Sequence, residues 1–316
     1  MSTALTTSES NSLKTKAKML TELTFDCMTL RDELELLLSE ASNVIELNNG
    51  CCTLIVGDSG SGKTTLVKKF KTRFNEQYAN KASPKDSEQA CYIRSPSNMS
   101  PLDLYRAILK GFNEPGLIEG TEVQLRTRIA KQIQTKRYRV LIFDEFQQVV
   151  EKVGIKSVRQ IADYLKELVD EFNVYLVFAG TSKVQNLLSI NEQFASRNSL
   201  TIKKSLLSVS TKDNYEAYVS YLITLNEDLK FTHIDFTDPQ INLPLFATTN
   251  GDLRQLTQVL SKAILYAAKR HRDEMLLEDL TKTFSAKLTE KGKVQVNPYN
   301  RKFMLLKKEL GVRHEV

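Results

Sequence analysis

Gly57-Asp-Ser-Gly-Ser-Gly-Lys63-Thr64 follows directly on the apolar run Thr53-Leu-Ile-Val56 and leads into Thr65-Leu-Val-Lys-Lys-Phe70. The spacing is that of a P-loop between a buried strand and a helix. Its glycines let backbone N–H groups turn inward around phosphates, and the helix that follows offers its positive N-terminal end. Gly57, Asp58, Ser59, Gly60, Ser61, Gly62, Lys63, Thr64 and Thr65 are therefore the expected triphosphate cradle. Lys63 is expected to reach the β- and γ-phosphates, and Thr64 to place its hydroxyl on Mg²⁺. A chance glycine-rich turn is the competing reading, and the flanking strand and helix argue against it.

A second apolar run, Val140-Leu-Ile-Phe-Asp144-Glu145, ends in an acidic pair. Open α/β sheets bind ligands beyond the carboxyl ends of their strands, which is where this pair falls. Asp144 is expected to hold Mg²⁺, and Glu145 to polarise the attacking water as general base. Alone, Asp-Glu reads as a strand end turning to solvent; beside a P-loop it reads as hydrolysis. No Asn-Lys-x-Asp stretch of the kind that selects guanine occurs, so adenine is the expected base.

Further runs, Ala90–Arg94, Val174–Ala179 and Leu200–Lys203, read as buried strands, with helical patterns at about 64–79, 101–112, 121–136, 155–171 and 183–189. Alternating strands and helices predict a parallel five-stranded sheet covered on both faces. From about 211 the strands stop, and segments 211–226, 238–249, 252–272 and 276–289 look helical. The expected fold class is thus α/β, a P-loop NTPase with a C-terminal helical lid. The expected divisions are 1–15 disordered, 16–50 helical, 51–210 nucleotide-binding, 211–290 lid and 291–316 tail.

The chain has 316 residues, 41% of them hydrophobic, enough for one or two domains with sizeable cores. Cys27, Cys51, Cys52 and Cys91 match no zinc spacing, and reduced thiols in a cytosolic protein are the simplest reading. The polar start and the lack of any 18-residue apolar run predict a soluble protein with no membrane contact. The net charge of +6 is concentrated in residues 251–316, which carry 14 Lys/Arg against 8 Asp/Glu. That excess suits either a solubilising surface or contact with a phosphate backbone or acidic partner.

Three further residues stand out. Thr181, after Phe178-Ala-Gly180, ends a strand where a polar group meets the γ-phosphate; a simple Gly-Thr turn is the alternative. Arg197, in Phe194-Ala-Ser-Arg197, holds the position that in oligomeric ATPases faces a neighbour's phosphates. Arg254, in Gly251-Asp-Leu-Arg254, opens a long helix from which it can reach back to the γ-phosphate. Taken singly, both arginines read as ordinary surface charges.

Together these motifs, in this order over residues 30–290, resemble the AAA+ ATPases. Asp144-Glu-Phe-Gln-Gln148, Phe178–Thr181, Gln193–Arg197 and Thr249-Asn-Gly-Asp-Leu-Arg254 are most similar to the compact transposition regulators of the TniB/TnsC type. The resemblance implies an ATP- and Mg²⁺-dependent regulator that assembles with itself as a ring or filament on double-stranded DNA. It further implies target selection, contact with a TniQ-type targeting protein and with transposase subunits, and a cytoplasmic, DNA-associated bacterial location; some relatives are guided by CRISPR complexes. Larger members carry long extensions, so partner docking here is expected to use the AAA+ body and brief tails. Pro298–Lys308 is a basic amphipathic candidate for the transposase, or else a last helix packing on the lid.

DNA contact is expected from the segment before Asp144, which faces the pore in ring AAA+ proteins, with Lys110, Thr121, Arg126, Arg128 and Lys131 as candidates. A solvated helix face is the plain alternative for each. No helix-turn-helix or aromatic stacking ladder occurs, so backbone contact without base readout is expected. A helicase-loader or initiator-type ATPase is the alternative function; a small-molecule kinase fits poorly beside Glu145 and Arg197.

Overall fold

A computed structural model describes residues 13–18, 20, 28–78, 88–96, 100–114, 118–284 and 296–316. The chain divides into two compact units, Asp32–Ser205 and a second one made of the residues up to Arg31 together with Leu206–Val316.

The Asp32–Ser205 unit is a five-stranded parallel sheet with helices around it. Helix α1 (Met28–Leu47) leads into β1 (Cys51–Gly57), α2 (Lys63–Tyr78), β2 (Ala90–Arg94), α3 (Pro101–Gly111), α4 (Glu122–Lys136) and β3 (Val140–Asp144). Helices α5 (Gln147–Lys152) and α6 (Ile155–Phe172), β4 (Tyr175–Gly180), α7 (Asn186–Ile190), α8 (Glu192–Ala195) and β5 (Asn198–Lys204) complete it. The strand order is β2-β3-β4-β1-β5, every pair parallel. Each strand seen in the sequence is present, Ala90–Arg94 with the expected bounds and the other four with bounds shifted by one or two residues.

The order explains the composition. Every residue of β3 and β4 is buried, as continuous apolar runs in a sheet covered on both faces must be. Edge strand β5 instead reads Asn-Ser-Leu-Thr-Ile-Lys-Lys and buries only Ile202. Phe178 stacks on Phe143 at 5.2 Å and touches Phe146 and Phe194 at 4.7 and 5.8 Å, knitting β3 and β4 to the segments that follow each. Helices α3 and α4 begin on capping boxes, Ser100 with Asp103 and Thr121 with Gln124, and bury Leu104, Ile108, Leu125 and Ile129 in the same core.

The second unit is helical: α9 (Lys212–Leu229), α10 (Pro239–Thr249), α11 (Leu253–Lys269), α12 (Leu277–Thr283) and α13 (Phe303–Glu309). Its core includes Leu222, Leu225, Leu243, Leu256, Leu260 and Ile264. Buried Asn242 is satisfied by Tyr215 and by the Phe236 carbonyl, so these bonds offset its desolvation. Gly251, at φ +76°, passes so close to Leu207 that an added Cβ would lie 1.9 Å from its carbonyl oxygen.

The start of the chain, expected to be disordered over 1–15, lies outside the described residues through position 12. From 13 to 18 it is helical, and Leu13, Ala17 and Leu20 are buried in the core of the helical unit. Their three- and four-residue spacing forms one apolar stripe, which the Ser/Thr-rich composition concealed. At the other end, Leu306 and Val312 join the same core and Tyr299 donates to the Ile241 carbonyl at 3.1 Å. The tail thus packs on the helical unit, leaving Met304 and Leu305 exposed. The helix expected over 276–289 ends at Thr283, and 285–289 lie outside the described residues.

Candidate nucleotide-hydrolysis site

The P-loop runs from Gly57, the last residue of β1, to Lys63, the first of α2. Gly60 and Gly62 take φ of +84° and +88°, conformations that side chains resist. Gly57 is bare for another reason: a Cβ there would stand 2.0 Å from the Lys204 carbonyl oxygen on β5. Lys63 Nζ donates to the Gly57 and Asp58 carbonyls at 2.8 and 2.7 Å. The buried Ser61 hydroxyl has no partner among the described residues. A loop with forced turns, an inward ammonium and an unsatisfied donor fits a phosphate chain.

The parallel sheet brings the end of β3 to the same place. Thr64 Oγ1 donates to Asp144 Oδ2 at 2.8 Å, and Tyr92 on β2 donates to that same oxygen at 2.7 Å. Asp144 Oδ1 accepts from the Glu145 backbone N–H at 3.0 Å. Burial raises the Tyr92 pKa, and the bond to Asp144 raises it further, so the phenol stays a donor. A buried carboxylate and a hydroxyl in contact are an all-oxygen donor set suited to Mg²⁺.

Glu145 stands in the left-handed region at φ +57°, a cost of about 1 kcal/mol for a residue with a side chain. Its carboxylate accepts from Gln147 Nε2 at 2.6 Å. Gln147 Oε1 in turn accepts from the Thr181 backbone N–H at 3.3 Å, while the Thr181 hydroxyl is buried without a partner among the described residues. Gly180 makes room for that amide, since a Cβ on it would lie 2.4 Å from Gln147 Oε1.

Asp144, Glu145 and Thr181 thus gather with the P-loop at the carboxyl ends of the strands; Arg197 does not. Its carbonyl accepts from Cys52 N at 2.8 Å, at the opposite end of β1 from Gly57. Five strand residues at about 3.3 Å each put it about 16 Å from its own P-loop. Its half-exposed guanidinium pairs with Asp170 at 2.8 Å. Arg254 is exposed at the first turn of α11 in the other unit, its backbone N–H capped by Asp252 at 2.8 Å.

The candidates on α3 and α4 are differently placed. Arg126 pairs with Glu122 and Glu167 and covers the Tyr164 ring; Arg128 pairs with Glu114 at 3.1 Å. The Thr121 hydroxyl caps α4, accepting from the Gln124 N–H. Lys110 and Lys131 make no ion pair among the described residues. The reading of residues one at a time missed Tyr92 and Gln147. Tyr92 carries no local signal, because only the β2–β3 register puts it beside Asp144. Gln147 was in view within Asp144–Gln148, but its partner Thr181 lies 34 residues on.

The family model for the bacterial TniB protein matches residues 26–204, which span every P-loop and β3 residue above. No curated protein matches. Among solved structures, the chain is similar to the ORC2 protein of Aeropyrum pernix in its ADPNP-ADP complexes. The TM-score is 0.64 at 17% identity, covering 85% of this chain and 70% of that one. It is also similar to the ORC1 protein of Aeropyrum pernix in complex with DNA, with a TM-score of 0.59 at 18% identity over 80% and 64%. Drosophila ORC bound to DNA gives 0.56 at 13% over 88% and 66%. This chain spans about two thirds of the length of those relatives, and identities this low establish the shared fold. With the family model covering more than half of it and the fold that of AAA+ proteins, the chain belongs to the TniB family and is a P-loop ATPase.

Proposed function

We propose that the protein is an ATP-dependent regulator of DNA transposition, which assembles with further copies of itself on double-stranded DNA and there engages transposase subunits and a TniQ-type targeting protein. The observation that carries this reading is the TniB family match over the whole nucleotide-hydrolysis site. ATP binding favours assembly, and hydrolysis limits or resets it.

In the hydrolytic step, Lys63 neutralises β- and γ-phosphate charge, and Thr64 and Asp144 would hold Mg²⁺. The cation, when bound, offsets charge on the phosphate oxygens. Glu145 takes a proton from water as its oxygen attacks the γ-phosphorus. The bond to the bridging oxygen breaks, giving ADP and phosphate. Thr181 faces the γ-phosphate, and Arg254 ties the helical unit to nucleotide state. Arg197, too far from its own P-loop, serves the site of an adjacent copy.

DNA contact runs through α3 and α4 and is independent of sequence, with Lys110 and Lys131 the most available charges. Arg126 and Arg128 must first leave their carboxylates, and Thr121 contributes through its helix cap. The DNA-bound relatives favour nucleic acid as the ligand class. Their likeness also keeps an initiator or helicase-loader role as the second reading.

Negative-stain microscopy with a non-hydrolysable ATP analogue and duplex DNA tests the assembly. Rings or filaments on DNA are expected, and monomers under those conditions would sink it. Binding of a replication helicase, with no binding to a transposase, would move the function to the second reading.

A further inference from the structure

Gln147 belongs to none of the standard roles at a P-loop, yet the residue is only 9% exposed, between the ends of β3 and β4. Its two ends meet chemically different partners. The Nε2 end donates to the Glu145 carboxylate at 2.6 Å, and the Oε1 end accepts from the Thr181 N–H at 3.3 Å. Only one amide orientation satisfies both, because a carboxylate accepts and a backbone N–H donates. Two backbone features accommodate the bridge. Gly180 lacks the Cβ that would strike the amide, and the Phe146 N–H donates to the Ala179 carbonyl at 3.0 Å, fixing the two strand ends. Glu145 itself sits in a left-handed conformation that its side-chain and backbone bonds must hold.

We infer that Gln147 is a positioning residue for ATP hydrolysis: its amide holds the Glu145 carboxylate at a fixed place relative to Thr181. The inference rests on the proposed role of Glu145 as general base. A base misplaced by about 1 Å can lose about 100-fold in rate, so a single amide that sets its position matters to turnover while leaving nucleotide binding alone.

Gln147→Glu is the sharpest test. It keeps the shape and the acceptor for Thr181 but sets a second carboxylate against Glu145. Gln147→Leu, of similar size, removes both bonds. In the full-length protein with duplex DNA and Mg²⁺, both variants are expected to bind a fluorescent ATP analogue as wild type does. Single-turnover hydrolysis at saturating ATP is expected to fall about 10- to 100-fold in each. Hydrolysis at the wild-type rate, or faster, would overturn the inference, the latter by showing that the bond parks the carboxylate. Equal losses of binding and rate would reduce Gln147 to a structural residue and overturn it as well. Glu145→Gln, measured alongside, separates the two claims. If it turns over normally, the role of Glu145 fails; if it is slow while Gln147→Glu is not, only the role of Gln147 fails.

Discussion

The hydroxyl of Thr64 donates a 2.8 Å hydrogen bond to Asp144 Oδ2, joining the P-loop to the end of β3 across 80 residues of chain. Tyr92 closes on the same oxygen from the other side, so the carboxylate is held by two side chains and one backbone N–H. Removing the Thr64 hydroxyl strands one acceptor and one position for the cation. Thr64→Ala is expected to lower Mg²⁺-dependent nucleotide affinity by about tenfold or more. Titration of a fluorescent ATP analogue with and without Mg²⁺ checks this, and an equal loss in both would place Thr64 outside the cation site.

Lys63→Ala removes the only ammonium inside the loop, along with its bonds to the Gly57 and Asp58 carbonyls. Nucleotide binding and DNA-dependent assembly should both be lost, while thermal melting of the free chain stays near wild type. Equilibrium binding and negative-stain images give the two readouts.

Glu145→Gln keeps the size of the side chain and discards the base. Nucleotide should remain bound while turnover falls by about 100-fold or more, so assemblies should persist after ATP is added. A phosphate-release assay beside light scattering would expose the alternative, which is wild-type turnover with normal disassembly.

Arg197 stands at the end of β1 remote from Gly57. Arg197→Ala should therefore leave nucleotide binding by the unassembled chain unchanged, and reduce hydrolysis in assembled protein by about 10³-fold. Mixing it with Glu145→Gln protein gives a second check, since that variant still assembles and supplies Arg197 to a neighbour whose Glu145 is intact. Activity that fails to recover in the mixture would count against a shared site.

Phe178 is fully buried and touches three other phenylalanines, so Phe178→Ala should cost about 3–5 kcal/mol. Gly251→Ala meets both a positive φ and the Leu207 carbonyl, and should destabilise the helical unit by about 2 kcal/mol or more. Urea denaturation of each variant measures both.

The local sequence was enough for much of this protein. Apolar runs bounded by turns marked the central strands, because strands buried on both faces must be apolar throughout, while the shorter runs Ala90–Arg94 and Leu200–Lys203 marked the edges. The P-loop was legible because its chemistry lies in one unbroken stretch, where glycine spacing fixes the backbone and Lys63 and Thr64 follow at once. Tertiary structure alone decided the rest. Strand order put Asp144 against Thr64 and Tyr92, and it sent Arg197 to the far end of the sheet. Neither is encoded in any short window, since hydrogen bonds between parallel strands join residues separated by whole crossover connections. The same holds for Leu13 and Leu306, buried from opposite ends of the chain in one helical core. The tail's pattern already allowed a last helix packing on the lid, but the apolar surface that takes up both ends exists only in the folded core.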